Sequence, residues 1–204
     1  MERRSFFRWA LDRPATYEGF QRLLGADATR NHIVKEILKA KPGDRILDLG
    51  CGTGTLLEHL PPVEYVGIDC SEAYICDAER RLGARGTFIA ADVRNFPAIG
   101  KQDFDLAIAI GLLHHLDDAE ARTLVRNAIR HLKPGGRFVA LDPLIESPQH
   151  PIARLLALAD RGRFVRTLDG YEALAAAAFN VKTQAKRNLL RIPYSHSLLV
   201  ATAA

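Results

Sequence analysis

Carboxylates and histidines stand at the ends of apolar runs in this chain, with a glycine turn among them. Asp48 sits inside Ile46-Leu47-Asp48-Leu49-Gly50-Cys51-Gly52-Thr53-Gly54, and Asp69 closes Tyr65-Val66-Gly67-Ile68-Asp69. Asp92 follows an apolar stretch from about Gly86 to Ala91, and His114-His115 follow Phe104–Ile110 and Gly111-Leu112-Leu113. Carboxylates placed in this way accept hydrogen bonds from hydroxyl and amino groups. A histidine can take a proton near neutral pH. Gly50, Gly52 and Gly54 remove side chains where the chain turns sharply and a ligand must approach the backbone.

The spacing counts against two common ligands of such a turn. A dinucleotide fingerprint needs glycines at the first, third and sixth places. Counting from Gly50, the sixth place is Thr55, and the third glycine comes one residue early. A phosphate-binding loop needs Gly-Lys-Ser/Thr after the turn, and none follows.

The string Asp48-Leu49-Gly50-Cys51-Gly52-Thr53-Gly54 resembles motif I of the class I S-adenosylmethionine-dependent methyltransferases. Four further segments match in that family's order: the strand ending at Asp69, the strand ending at Asp92, the strand running into Gly111–Leu116, and Leu132-Lys133-Pro134-Gly135-Gly136 leading into a fifth strand that ends at Asp142. The resemblance covers about residues 30–142. It implies a Rossmann-like α/β fold, a doubly wound and mostly parallel seven-stranded sheet of order 3-2-1-4-5-7-6. It also implies S-adenosylmethionine as cofactor, with S-adenosylhomocysteine as product.

The resemblance places the cofactor residue by residue. Gly50, Cys51 and Gly52 let the methionine part lie against backbone. Asp48 reaches its amino group directly or through water. Asp69, with Ser71 nearby, holds the ribose, as an acid at that strand end does in open α/β sheets. Asp92 and the Val93 amide meet the adenine, and Ile110 with Gly111 borders the sulfonium. Each acid has a plainer reading: Asp48 as a support of the turn, Asp69 and Asp92 as caps of following helices. On the acceptor side His115 matches the family's histidine position better than His114, and Tyr17 could act beside it. Tyr194 and His196 near the last turn could line the acceptor pocket. Arg161, Arg163 and Arg166 could clamp a carboxylate or phosphate.

Periodicity supplies the elements that position these residues. A helix is predicted over 28–40, with Ile33, Val34, Ile37 and Leu38 on one face. Thr53–Leu60 reads as a short helix stopped by Pro61-Pro62. Ser71 caps a helix to about Arg81, and Asp117-Asp118 starts another. Residues 143–168 read as an insertion or lid over the open end of the sheet, with a short helix Ile152–Ala159. Asp169 should cap a helix Tyr171–Phe179, and strands over Val181–Arg191 and Ser195–Ala203 should end the chain, which the resemblance implies pair antiparallel at the sheet edge. Residues 1–27 read as an N-terminal helical cap, and the whole chain as one domain over 1–204.

Composition bounds the rest. The chain has 204 residues, 48% of them hydrophobic, enough for a full core. No apolar stretch approaches the ~18 residues needed to cross a bilayer. Arg3-Arg4 precedes no apolar export segment, so a cytoplasmic protein is expected. Three cysteines without ligand spacing argue against disulfides and a metal site. Residues 46–150 carry 15 acids against 10 Lys/Arg, whereas 151–204 carry 8 Lys/Arg against 3 acids. Basic flanks can attract an anionic substrate. The Asn/Asp-Pro-Pro-Tyr/Phe string of many base-modifying enzymes is missing after the fourth strand, and no row of aromatics interleaves the basic residues. A small, anionic metabolite is therefore preferred over nucleic acid as acceptor, through O, N or C. An RNA or protein methyltransferase and a non-catalytic cofactor-binding subunit remain the alternatives. Oligomeric state is left open.

Overall fold

The computed structural model describes residues 26–95, 103–158, 162–175, 180–187, 189 and 192–203. Its seven strands are β1 Arg45–Leu49, β2 Glu64–Asp69, β3 Thr87–Ala90, β4 Phe104–Ile110, β5 Leu132–Pro143, β6 Asn180–Arg187 and β7 Ser195–Thr202. They form one sheet of order β3-β2-β1-β4-β5-β7-β6, as the resemblance implies. The first five pair in parallel, and β7 runs antiparallel to both β5 and β6.

Both faces of the sheet are covered, so its central strands are buried apolar runs. On one face Leu47, Leu49, Ala107, Phe138 and Ala140 pack against α3 (Asp118–Arg130) and α5 (Leu168–Ala175). On the other, Ile46, Leu106, Ile108, Val139 and Leu141 pack against the first helix and α2 (Glu72–Leu82). The caps match the sequence reading: Ser71 Oγ accepts from the Tyr74 N–H, and Asp117 with Glu120 forms a capping box on α3.

Several local expectations change. The first helix is α-helical as α1 over Ala26–His32, then widens to a π segment over Ile33–Leu38 that ends at Lys39 in a left-handed conformation. The wider turn keeps Ile33, Val34, Ile37 and Leu38 all buried. The helix expected over Thr53–Leu60 is a single 3₁₀ stretch, Thr55–His59, because Gly54 is left-handed and Pro61 follows at once. α5 begins at Leu168 rather than Tyr171. Its first turn is closed by Thr167, whose Oγ1 accepts from the Gly170 N–H at 3.3 Å, so Asp169 is not the cap. β6 ends at Arg187, and the rest of the predicted strand lies partly outside the described residues. α4 (Pro151–Leu158) is one residue out of the predicted frame, with proline at its first position.

The parallel register brings the carboxyl ends of the strands to one edge. Asp48 and Leu49 lie beside Gly67 and Ile68, Asp69 lies beside Ala90, and Ile110 lies beside Leu141. Ligands of open α/β sheets bind beyond this edge, where strand order reverses, which here is between β1 and β4.

Candidate functional site

The β1 exit is a tight backbone loop. The Gly50 and Cys51 N–H groups both donate to the Ile68 carbonyl, at 2.8 and 3.0 Å. Gly50, Gly52 and Gly54 all have positive φ. The three glycines do different work. A Cβ on Gly54 would lie 2.8 Å from the Phe88 ring, so this glycine permits close packing against β3. A Cβ on Gly50 would meet Leu112 at 3.1 Å. A Cβ on Gly52 would meet nothing within 4 Å, so the backbone there faces open space. Cys51 turns its sulfur onto β2, where Gly67 makes room for it.

The predicted acids gather around this loop, each with partners. Asp69 receives the Gly52 N–H on one carboxylate oxygen and the Ser71 N–H on the other, both at 2.9 Å. It thus ties the glycine loop to the start of α2. A carboxylate has about four acceptor sites, so two remain for hydroxyl donors. Asp48 is buried and accepts the Tyr65 hydroxyl at 2.6 Å. Burial pushes its pKa up to about 7, opposed by the Tyr65 hydrogen bond and reinforced by the charge of Asp69. Asp92 accepts the Arg94 N–H and is gripped by the Arg94 guanidinium, which holds the carboxyl below its ordinary range. Of the plainer readings, Asp92 does accept an N–H of the following turn, whereas the cap of α2 is Ser71 rather than Asp69, and Asp48 bonds Tyr65 on β2 rather than the turn. Val93 is buried and opens a 3₁₀ turn, Val93–Asn95.

At the β4 exit Ile110 is half-buried and Gly111 turns the chain, its N–H donating to Leu141. The two histidines then part company within one 3₁₀ turn, Leu113–His115. His115 is exposed. His114 is buried, and Asp142 at the end of β5 accepts both its Nδ1–H (2.8 Å) and its backbone N–H (3.2 Å) on Oδ1. The two imidazole rings lie against each other, centroids 4.1 Å apart and tilted by 39°.

The segment 162–166 straps down this turn. The Phe164 N–H donates to the His114 carbonyl, and any side chain at Gly162 would run into the His114 ring. The Arg166 guanidinium spans the Leu113, Leu116 and Phe164 carbonyls and Asp118. Arg166 therefore serves the chain itself and is not available as an anion clamp. Arg163 is exposed. Arg161 and Tyr17 lie outside the described residues. Tyr194 and His196 come together at the start of β7, ring edge to face at 5.0 Å. Burial drives the His196 imidazole down to about 4, so it is neutral at pH 7.

Sequence reasoning gave no role to Tyr65, Asp142 or Ser197. An acid ending β5, two strands from the glycine turn and beside a strand that exits in histidines, is the signal that could have found Asp142. Nothing in the sequence alone pairs Tyr65 with Asp48, because that depends on β1–β2 register. Among the described residues no group of three or more His, Cys, Asp or Glu could hold a metal, and no helix is long and apolar enough to cross a membrane.

The residues fit a nucleoside-bearing cofactor with an amino acid tail. The open backbone at Gly52 has Asp48 and Asp69 at the neighbouring strand ends, and Asp92 stands one strand further out. Comparison with known proteins agrees. Residues 46–136 match the family model described as a methyltransferase domain. A tRNA (carboxymethyluridine(34)-5-O)-methyltransferase of Saccharomyces cerevisiae is 33% identical over 107 residues, 52% of this chain and 38% of the relative. A trans-aconitate 2-methyltransferase of Acidovorax ebreus is 32% identical over 151 residues, 71% of this chain and 55% of the relative. The chain thus spans less than two thirds of the length of these relatives. In fold it is similar to a chain of the structure titled as the complex between the Haloferax volcanii Trm112 methyltransferase activator and the putative methyltransferase, with TM-score 0.75, 17% identity, 100% of this chain and 99% of that one covered. Strand order, the motif I loop and the matched family model together make this chain a member of the class I S-adenosylmethionine-dependent methyltransferases.

Proposed function

We propose that the protein moves a methyl group from S-adenosylmethionine to an oxygen, nitrogen or carbon of a small metabolite. The observation that carries this is the open backbone at Gly52, flanked by Asp48 and Asp69 on adjacent strand ends. Gly50, Cys51 and Gly52 take the methionine part, and Asp48 faces its amino group. Asp69 and Ser71 hold the ribose, Asp92 and Val93 border the adenine, and Ile110 lies beside the sulfur.

When bound, the cofactor supplies an activated methyl that leaves by in-line displacement. The protein's share is alignment of donor and acceptor and exclusion of water. Ile110 and Gly111 end β4 beside the loop and bound the transfer site on one side. The strap 162–166 covers the β4 exit and bounds it on the other. A hydroxyl or amine acceptor must also lose a proton, for which the histidines of this turn are the candidates. His115 is the one nominated by family position, with Tyr17 as its companion, and it is exposed where an acceptor would arrive. The basic residues of 151–204 favour an anionic acceptor.

The relative that acts on tRNA supports a second reading, an RNA acceptor. Incubation with methyl-labelled cofactor and separate pools of small metabolites, RNA and protein decides between them. Label in the small-molecule pool is the expected result. Label in RNA, with binding that weakens steeply as salt rises, overturns the small-molecule reading. Tight cofactor binding without label in any pool overturns catalysis itself.

A further inference from the structure

We infer that α4 docks the chain onto an anionic lipid surface, through an outward apolar face flanked by arginines.

The helix faces the opposite way from an ordinary surface helix, which keeps its apolar stripe on the core and its charges in water. Successive residues of an α-helix turn by about 100°. In Pro151–Leu158 the small residues Ala153 and Ala157, four apart and both buried, seat the helix on the body. Leu155 lies roughly opposite them around the helix and is 67% exposed, with Leu158 at 64% and Ile152 at 51% on either side of it. Arg154 is the helix's one charged residue. Phe164 on the strap is exposed as well. Among the described residues these four are the large apolar side chains left in water, and all of them fall between residues 152 and 164.

The size and shape of the patch favour lipid over protein. A stable interface between folded proteins buries about 800 Å² on each partner. A helix of this length is about 12 Å long, and such a patch is on the order of a few hundred Å². Among the described residues no other large apolar side chain is exposed, so the patch has no apolar neighbour to extend into. Two copies meeting on this helix would fall well short of that area. A bilayer surface asks for no shape match, and a short ridge of leucine and isoleucine enters the boundary between headgroups and acyl chains. No helix among the described residues is long and apolar enough to cross a membrane, so the contact is with the surface.

Charge selects an anionic surface. Residues 148–166 carry Arg154, Arg161, Arg163 and Arg166 against a single acid, Asp160. Arg154 and Arg163 are exposed, and neither makes an ion pair among the described residues. The acids around the segment are engaged elsewhere: Glu146 holds Arg187 and the Ser195 hydroxyl, and Asp118 holds Arg166. The free guanidinium groups therefore stand ready for anionic headgroups. α4 is also tied on both sides to the carboxyl edge of the sheet. β5 leaves the sheet there at Pro143, and the strap returns to the β4 exit through Phe164 and His114. Docking by α4 thus sets the edge that bears the glycine loop against the lipid.

The test uses the full-length chain and sedimentation with vesicles, either of phosphatidylcholine alone or of phosphatidylcholine mixed with phosphatidylglycerol. Binding to the mixed vesicles is expected, weakening as salt rises, with far less binding to phosphatidylcholine alone. Leu155→Gln combined with Leu158→Gln should weaken vesicle binding by about tenfold or more. Thermal unfolding and S-adenosylhomocysteine affinity should stay as in the unaltered protein, because both side chains face away from the core. Arg154→Gln combined with Arg163→Gln should also weaken binding to the mixed vesicles and flatten its salt dependence. Leu155→Trp should shift its emission to the blue on mixed vesicles. Absence of binding to the mixed vesicles overturns the inference. Full binding by the double leucine variant overturns it too, since charge alone would then hold the protein. A concentration-dependent dimer that the double leucine variant abolishes assigns the face to a second copy and overturns it as well. None of these outcomes depends on whether methyl transfer is found.

Discussion

Tyr65 gives its hydroxyl hydrogen to Asp48 at 2.6 Å across the β1–β2 pair, with both side chains out of water. The contact keeps a carboxylate inside the fold beside the cofactor loop. Burial nonetheless dominates, and pushes the Asp48 pKa up to about 7 from an ordinary 3.8. A proton is thus held in the folded state between about pH 4 and 7, where the unfolded chain has released it. The sign follows from linkage: this group's contribution to stability falls as pH rises through that window. The upper bound is on the order of 4 kcal/mol. Asp48→Asn should therefore gain stability relative to the unaltered protein at pH 8, and lose that gain below pH 4. Urea unfolding at the two pH values checks it, and equal stability differences at both would contradict it.

The same carboxylate predicts a proton count for binding. A cofactor ammonium beside Asp48 favours its ionised form. Binding of S-adenosylhomocysteine at pH 6 should release a proton and tighten as pH rises toward 7.5. Calorimetry in two buffers of different ionisation heat reads the release directly. Proton uptake, or none, would place the amino group elsewhere.

Asp69 has a double task, and its replacement should show both. Asp69→Ala removes the acceptor of the Gly52 and Ser71 N–H groups as well as the proposed ribose partner. Cofactor affinity should drop by roughly 1.5–3 kcal/mol, the scale of hydrogen bonds to a charged group. Asp69→Asn keeps one acceptor oxygen for the loop and should lose less stability than affinity. Titration calorimetry and thermal unfolding of the two variants separate these tasks.

The fold was legible because its signals are local. Apolar runs and turns specify the β-α order, and the resemblance to the methyltransferase family implied the strand order with its antiparallel edge. The positions of Gly50–Gly54, Asp69 and Asp92 were legible for the same reason, since each sits at the end of its own strand. What sequence did not show depends on register or on one residue's rotation. His114 and His115 are adjacent, equal in chemistry and one step apart along a 3₁₀ turn. Only the chain path shows that His114 turns in toward Asp142 and His115 turns out. Arg166 looked like a ligand clamp because charge pattern cannot reveal that Leu113, Leu116 and Phe164 present three carbonyls to it.

Two glycines of the loop should fail in different ways. Gly54→Ala sets a methyl group 2.8 Å from the Phe88 ring at a positive φ, so the packing of the loop on β3 must shift. The protein should lose about 1–3 kcal/mol of stability. Gly52→Ala also carries a positive φ, which costs about 1 kcal/mol, but its Cβ enters open space. That space is where the cofactor is proposed to lie. Gly52→Ala should therefore lose cofactor affinity at least tenfold while unfolding close to the unaltered protein. Gly54→Ala should show the reverse ranking, and a common ranking for both would mean that the open face at Gly52 is not the cradle.

Arg166 should resist replacement by lysine. Its guanidinium makes four hydrogen bonds, to the Leu113 and Phe164 carbonyls through Nη1, to Leu116 through Nη2 and to Asp118 through Nε. It also lies over the Phe164 and Tyr171 rings at 5.8 Å. A lysine ammonium is a compact charge with three donors and cannot span these carbonyls in one plane. Arg166→Lys should release the strap without unfolding the sheet, because the groups that the guanidinium bonds lie on turns and at a helix start, not on the strands. The amide protons of Phe164 and Ile145, which donate to His114 and Arg166 across the strap, report on this. Their hydrogen exchange should quicken about tenfold or more, while amides of β4 and β5 hold their protection. Uniform quickening across the sheet would mean that Arg166 supports the whole domain, and unchanged exchange at Phe164 would mean that the strap is held by its backbone alone.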